Sequence, residues 1–184
     1  MTTINTLTPH LHLLFITLLT LSTTSTLAYS RKTTNDLVTT TCKQTPDPIL
    51  CEASLRSDSR SSKAADSEGL ILIMIDVVKT RFSDSFRYVE DLTRKTHDPA
   101  VIRALQECKQ LYRVVLDVSV GLAVRAVKQG DPKFGEQAMV DAGNEAEGCR
   151  MAFPEGKVPG RIVGRTRMLH GVSNVAASMI KSLE

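Results

Sequence analysis

The sequence contains no tryptophan, and aromatic side chains make up only 4% of its 184 residues. Its ten Gly and seven Pro follow no period, which excludes collagen-like and low-complexity chains. Neither sign of charge dominates. Lys plus Arg number 23 against 20 Asp plus Glu, a formal charge of +3. A nucleic-acid binder would concentrate its cations in a stripe, so nucleic acid is not an expected partner. Four Cys and four His are few, and no C-x2-C pair of the kind zinc favours is present. Also missing are G-x-S-x-G, H-E-x-x-H, a phosphate-binding Gly loop and the Glu-x-x-His pairs of a di-iron bundle. His97 and His170 stand alone and read as surface or capping residues. No catalytic residue, metal ligand or cofactor is expected, and an enzyme is disfavoured. What is present is 42% hydrophobic residues, enough for one ordinary domain with a core.

Residues 1–28 carry no Asp, Glu, Lys or Arg. The mainly apolar run at 11–21 has the length of a signal-peptide core, too short and too rich in Thr for a membrane span of about 20 apolar residues. Thr26-Leu27-Ala28 suits a cleavage site, giving a mature chain over 29–184 with no membrane segment. A secreted chain with an even set of cysteines, Cys42, Cys51, Cys108 and Cys149, is expected to hold two disulfides. The route serves the extracellular space and the vacuole alike.

Beyond the signal, Pro occurs only at 46, 48, 99, 132, 154 and 159. A proline costs about 3 kcal/mol inside a helix, so the gaps between them bound the long helices. Each gap has helical spacing. Ile71, Ile75, Val78, Phe82, Phe86 and Val89 form one row, and Val101, Leu105, Cys108, Tyr112, Val115, Ser119, Leu122 and Ala126 a second. A third contains Phe134, Ala138, Ala142, Ala146, Cys149 and Phe153; a fourth contains Ile162, Thr166, Leu169, Ser173, Ala176, Ile180 and Leu183. Four amphipathic stripes with short links predict an all-α, up-down-up-down four-helix bundle over 63–184. The apolar run at 70–75 also fits a buried strand, although no second period-two segment exists to pair with it.

Asp98-Pro99 and Asp131-Pro132 each read as a helix start, with Asp as N-cap and Pro in the first turn. Gly130 suits the end of the preceding helix. The hairpin at Gly130-Asp131-Pro132 then bears on the cysteines. Cys108 lies 22 residues before Gly130 and Cys149 lies 19 after it, or about 33 Å and about 28 Å along the two helix axes. These similar heights favour Cys108–Cys149, leaving Cys42–Cys51 to clip the loop around Thr45-Pro46-Asp47-Pro48. Residues 31–62 read as an N-terminal extension, packed on the bundle or projecting from it. The Ser-rich stretch 55–68 reads as a polar connector that is equally compatible with a solvated linker.

One segment stands apart. Phe134, among the few aromatics, falls in the first turn of a helix beside Pro132 and Lys133. Phe134 either begins the core stripe or is an exposed probe. In the second reading Pro132 fixes the backbone, Lys133 presents a cation and Phe134 anchors it, a tip suited to a pocket lined with carboxylates.

With its signal segment, its C-x8-C pair around Thr45-Pro46-Asp47-Pro48-Ile49-Leu50 and its second cysteine pair about forty residues apart, the chain resembles the plant invertase/pectin methylesterase inhibitors. Ala104-Leu105-x-x-Cys108-x-x-x-Tyr112 and Val172-Ser173-Asn174 add to the resemblance. It implies a four-helix bundle with an N-terminal helical hairpin and disulfides between sequential cysteines. It also implies a role as an inhibitor of acid invertase, since Pro132-Lys133-Phe134 matches the Pro-Lys-Phe motif that enters the invertase active site in similar inhibitors. Asp131, Pro132, Lys133 and Phe134 are thus the candidate target-binding residues. The alternative partner is pectin methylesterase, bound through a bundle face. A different class, a ligand-carrying bundle with a cavity beside the Ala- and Gly-rich third helix, is the remaining possibility.

Overall fold

A computed structural model of the chain describes residues 37–184; the expected signal segment at 1–28 and its cleavage site lie outside the described residues. The described elements are helical throughout. They are α1 (residues 37–42), α2 (Pro48–Arg56), a 3-10 turn (Ser59–Lys63), α3 (Ser67–Lys95), α4 (Pro99–Val114), a π turn (Val115–Ser119), α5 (Val120–Gln129), α6 (Pro132–Met151) and α7 (Gly160–Lys181). No break separates α4, the π turn and α5, so four long rods run in sequence. Each rod packs on the next and α3 closes on α7, which makes the bundle.

Aspartates begin most of these helices. The carboxylates of Asp47, Asp66 and Asp98 accept hydrogen bonds from the backbone N–H groups of Leu50, Gly69, and Ala100 with Val101, satisfying donors that the first turn leaves open. Residues 70–75 are helical, not a strand. Leu70, Ile71, Ile73, Met74 and Ile75 are all buried, and α3 packs on α2 in addition to the bundle helices. Phe82 and Tyr112 meet edge to face, ring centres 5.4 Å apart, inside the core.

Two expected rows drift. The π turn places an extra residue in the helical repeat, and in α5 the buried residues are Val120, Ala123, Ala126 and Val127, so Ala126 holds its expected place while Leu122 is only half-buried. Leu183 was expected on the last row. Helix α7 ends at Lys181, however, and Leu183 is 38% exposed.

Cys42 pairs with Cys51, and Cys108 with Cys149, their Cα atoms 5.5 and 4.4 Å apart. Each bridge stabilises the fold by about 2–4 kcal/mol, chiefly by restricting the unfolded chain. The first clips α1 to α2 and holds both against the bundle. The Cys51 sulfur lies 3.9 Å from that of Met179, and Ser178 donates to the Gln44 carbonyl. The described part of the extension, from residue 37 on, therefore packs on the bundle. Its connector is ordered as well: Arg60 joins Asp58 to Asp76 of α3, both at 2.7 Å.

On α6 the buried residues are Met139 and the smaller Gly135, Ala138, Ala142, Gly143, Ala146 and Cys149. These small residues let α7 come close. A Cβ added at Gly143 would lie 3.4 Å from Asn174 Oδ1 and from His170 Cδ2. At this point α6 and α7 therefore lie in close contact.

Candidate functional site

The α5–α6 turn is built by backbone chemistry. Gly130 adopts the left-handed conformation, with φ 72° and ψ 29°, which costs a glycine no Cβ clash. Its N–H donates to the Val127 carbonyl (3.2 Å), and the Asp131 N–H donates to that of Ala126 (2.9 Å). This pair of bonds closes the end of α5 and turns the chain sharply into α6. Pro132 then supplies a first-turn residue that needs no N–H partner.

Asp131 occupies the N-cap position but its side chain makes no capping hydrogen bond. The expectation of a capping carboxylate fails there, although it holds at Asp98. Asp131 and Lys133 are exposed, and Lys133 has no hydrogen-bond or ion-pair partner among the described residues. Phe134 is 62% exposed. It does not begin the core stripe, because Gly135, one residue and about 100° further round the helix, takes that place. Asp131, Pro132, Lys133 and Phe134 therefore share one turn at one end of the bundle, with Pro132 half-buried and the other three exposed. The cysteines stand apart from it as buried bridges.

Two features of this end have little or no signature in the sequence. Gly135 is buried against α5 and α7, and Glu136 pairs with Lys181 at the end of α7 (3.2 Å). The first has a faint signal, the three-residue step from 135 to Ala138. The second links residues 45 apart and has none.

A shallow cleft between α6 and α7 is lined by Glu147, Arg150, Val163, Thr166, Arg167 and His170. Arg150 binds Glu147 across one helical turn, and that contact, with its charge, holds the Glu147 carboxyl below the usual carboxylate range. Among the described residues no group of three or more His, Cys, Asp or Glu is placed to hold a metal ion, and no helix is long and apolar enough to cross a membrane. The turn presents one cation, one carboxylate and one aromatic ring to solvent.

Residues 36–179 match the family described as plant invertase/pectin methylesterase inhibitor. The chain is 38% identical over 146 residues to the cell wall / vacuolar inhibitor of fructosidase 1 of Arabidopsis thaliana, covering 79% of this chain and 68% of that protein. A pectinesterase inhibitor of Actinidia deliciosa is 30% identical over 102 residues, 55% of this chain and 54% of the relative. Among solved structures, a mutant form of a pectin methylesterase inhibitor from Arabidopsis superposes with a TM-score of 0.66 at 17% identity, over 78% of this chain and 94% of that one.

Proposed function

Since the chain belongs to the plant invertase/pectin methylesterase inhibitor family, whose members inhibit enzymes and are not themselves enzymes, we propose that its target is an acid invertase (β-fructofuranosidase) and that the Pro132-Lys133-Phe134 tip blocks the active site. One observation carries the reading: Lys133 and Phe134 both face solvent on a fixed turn, and the ammonium has no partner among the described residues. A retaining glycosidase keeps two carboxylates about 5–5.5 Å apart. An ammonium delivered between them occupies the place of the sugar and forms charge-assisted contacts that strengthen as water leaves.

Each neighbour has its own part. Pro132 and the closed turn at Gly130 reduce the conformational freedom lost on docking. Phe134 covers apolar surface beside the cation, and such buried aromatic anchors commonly dominate an interface. Asp131, with no cap to serve, offers an acceptor to hydroxyl or guanidinium groups of the target. Secretion through the segment at 1–28 takes the inhibitor to the cell wall or the vacuole, where acid invertases act.

The match to a pectinesterase inhibitor supports a second reading, inhibition of pectin methylesterase through a bundle face. One preparation of the protein, titrated against both enzymes side by side, separates the two. Inhibition of the invertase alone is the expected result. Inhibition of the methylesterase alone overturns the proposal.

A further inference from the structure

The tip stands on a mounting, and the mounting depends on the smallness of one residue. Helix α6 is not fastened at its first residue, because Asp131 makes no capping bond. It is seated one turn later. A Cβ built on Gly135 would lie 3.2 Å from Ile180 Cγ2, 3.4 Å from the Ala126 Cβ and 3.5 Å from the Ala123 carbonyl oxygen. The first of these is closer than side chains ordinarily approach, so a side chain at 135 would require Ile180 or the turn itself to give way by a few tenths of an ångström. Glu136, the next residue, is tied to Lys181. The Gly135 seat and the Glu136 tether together fix the rotation of the turn.

That rotation decides which side chains face outward. With position 135 turned into the bundle, Phe134 and Lys133 are carried round to solvent by the helical step of about 100° per residue. A larger residue at 135 cannot enter the same space. The turn must then lift or rotate, and the cation moves with it.

We propose that Gly135 is the positioning residue of the inhibitory tip, acting through Lys133, with Ile180 of α7 as the surface it rests on. The inference builds on the tip reading above. It adds that inhibitory strength is set in part by a buried contact the target never touches, since a displacement of about 1 Å in a docked group is enough to lose most of its effect.

The test is a double-mutant cycle on inhibition of acid invertase, using Gly135→Val, Lys133→Ala and the pair, with circular dichroism and Tm for each. Gly135→Val is expected to inhibit at least about tenfold more weakly while remaining helical. Lys133→Ala, costly in the wild-type background, is then expected to cost less than about twofold in the Gly135→Val background, because the lysine is already out of place. A protein damaged only in general stability would show no such coupling, because its losses would multiply. Wild-type potency of Gly135→Val overturns the proposal, and so does a full multiplicative loss in the pair. If Gly135→Val does not fold, Gly135→Ala takes its place in the cycle. Its single methyl requires a shift of only a few tenths of an ångström, taken up by the turn in this proposal, and a loss of about threefold coupled to Lys133 is expected; wild-type potency overturns the proposal there too. If Lys133→Ala has no effect in the wild-type background, the tip reading itself fails, whatever Gly135 does.

Discussion

At the α3–α4 turn, Asp98-Pro99 opens a helix and the Asp carboxylate is fully engaged. It accepts from the N–H groups of Ala100 (2.8 Å) and Val101 (3.4 Å) and binds Lys157 Nζ at 2.7 Å, joining α4 to the loop before α7. At the other end of the α4–α5 rod, Asp131-Pro132 opens α6 with the same dipeptide. Here the carboxylate caps nothing, the nearby lysine has no partner among the described residues and the adjacent phenylalanine is exposed. The first turn is complete within its own chain. The second leaves a cation, an anion and a ring open to a partner on a backbone that is nonetheless fixed. The difference shows how one sequence signature can be satisfied within the chain in one place and left open in another.

Several variants would break or sharpen this contrast. The largest effect is expected from Lys133→Glu, which sets a like charge against the carboxylates of the target. Inhibition of acid invertase should fall by roughly a hundredfold or more, with Tm unchanged by calorimetry. Asp98→Ala is the opposite case. Tm should fall by about 2–4 °C as the cap is lost, while potency measured below the transition stays at the wild-type level. A large loss of potency there would mean that the two ends are not independent.

The pH dependence separates the turns as well. The Lys157 hydrogen bond, followed by the backbone bond from Ala100, holds the Asp98 carboxyl below its ordinary value. A carboxyl lowered by folding contributes stability that is full above its unfolded pKa of about 3.9 and is lost as pH falls through the folded value. Acid unfolding of Asp98→Asn should therefore be shallower than that of wild type below about pH 4, with the two curves parallel at neutral pH. The smallest effect is expected from Asp131→Ala, whose stability by denaturant titration should lie within about 0.5 kcal/mol of wild type, because no cap is removed.

Much of the bundle is legible in the amino-acid sequence. Prolines at 99, 132 and 159 bound the rods, and the heights of Cys108 and Cys149 about Gly130 point to the pairing seen. Such features depend on spacing along the chain. What is not legible depends on partners far away in sequence. The two Asp-Pro starts look alike because Lys157, which distinguishes them, lies 59 residues from Asp98. Phe134 and Gly135 differ by a single helical step, and a pattern of apolar residues assigns the core position to the ring. Only the approach of Ile180 shows why the glycine is buried and the ring is not. The drift from Leu122 to Ala123 follows from a π turn that leaves no mark in composition.

The central claim is that the unpaired lysine of the exposed turn, and no part of the well-satisfied one, carries inhibition. It is tested most directly by the inhibition constant of purified Lys133→Ala against an acid invertase. A potency at least about tenfold below wild type, equivalent to roughly 1.4 kcal/mol of binding, is the predicted result, with the same Tm. A Lys133→Ala protein as potent as wild type would contradict the account.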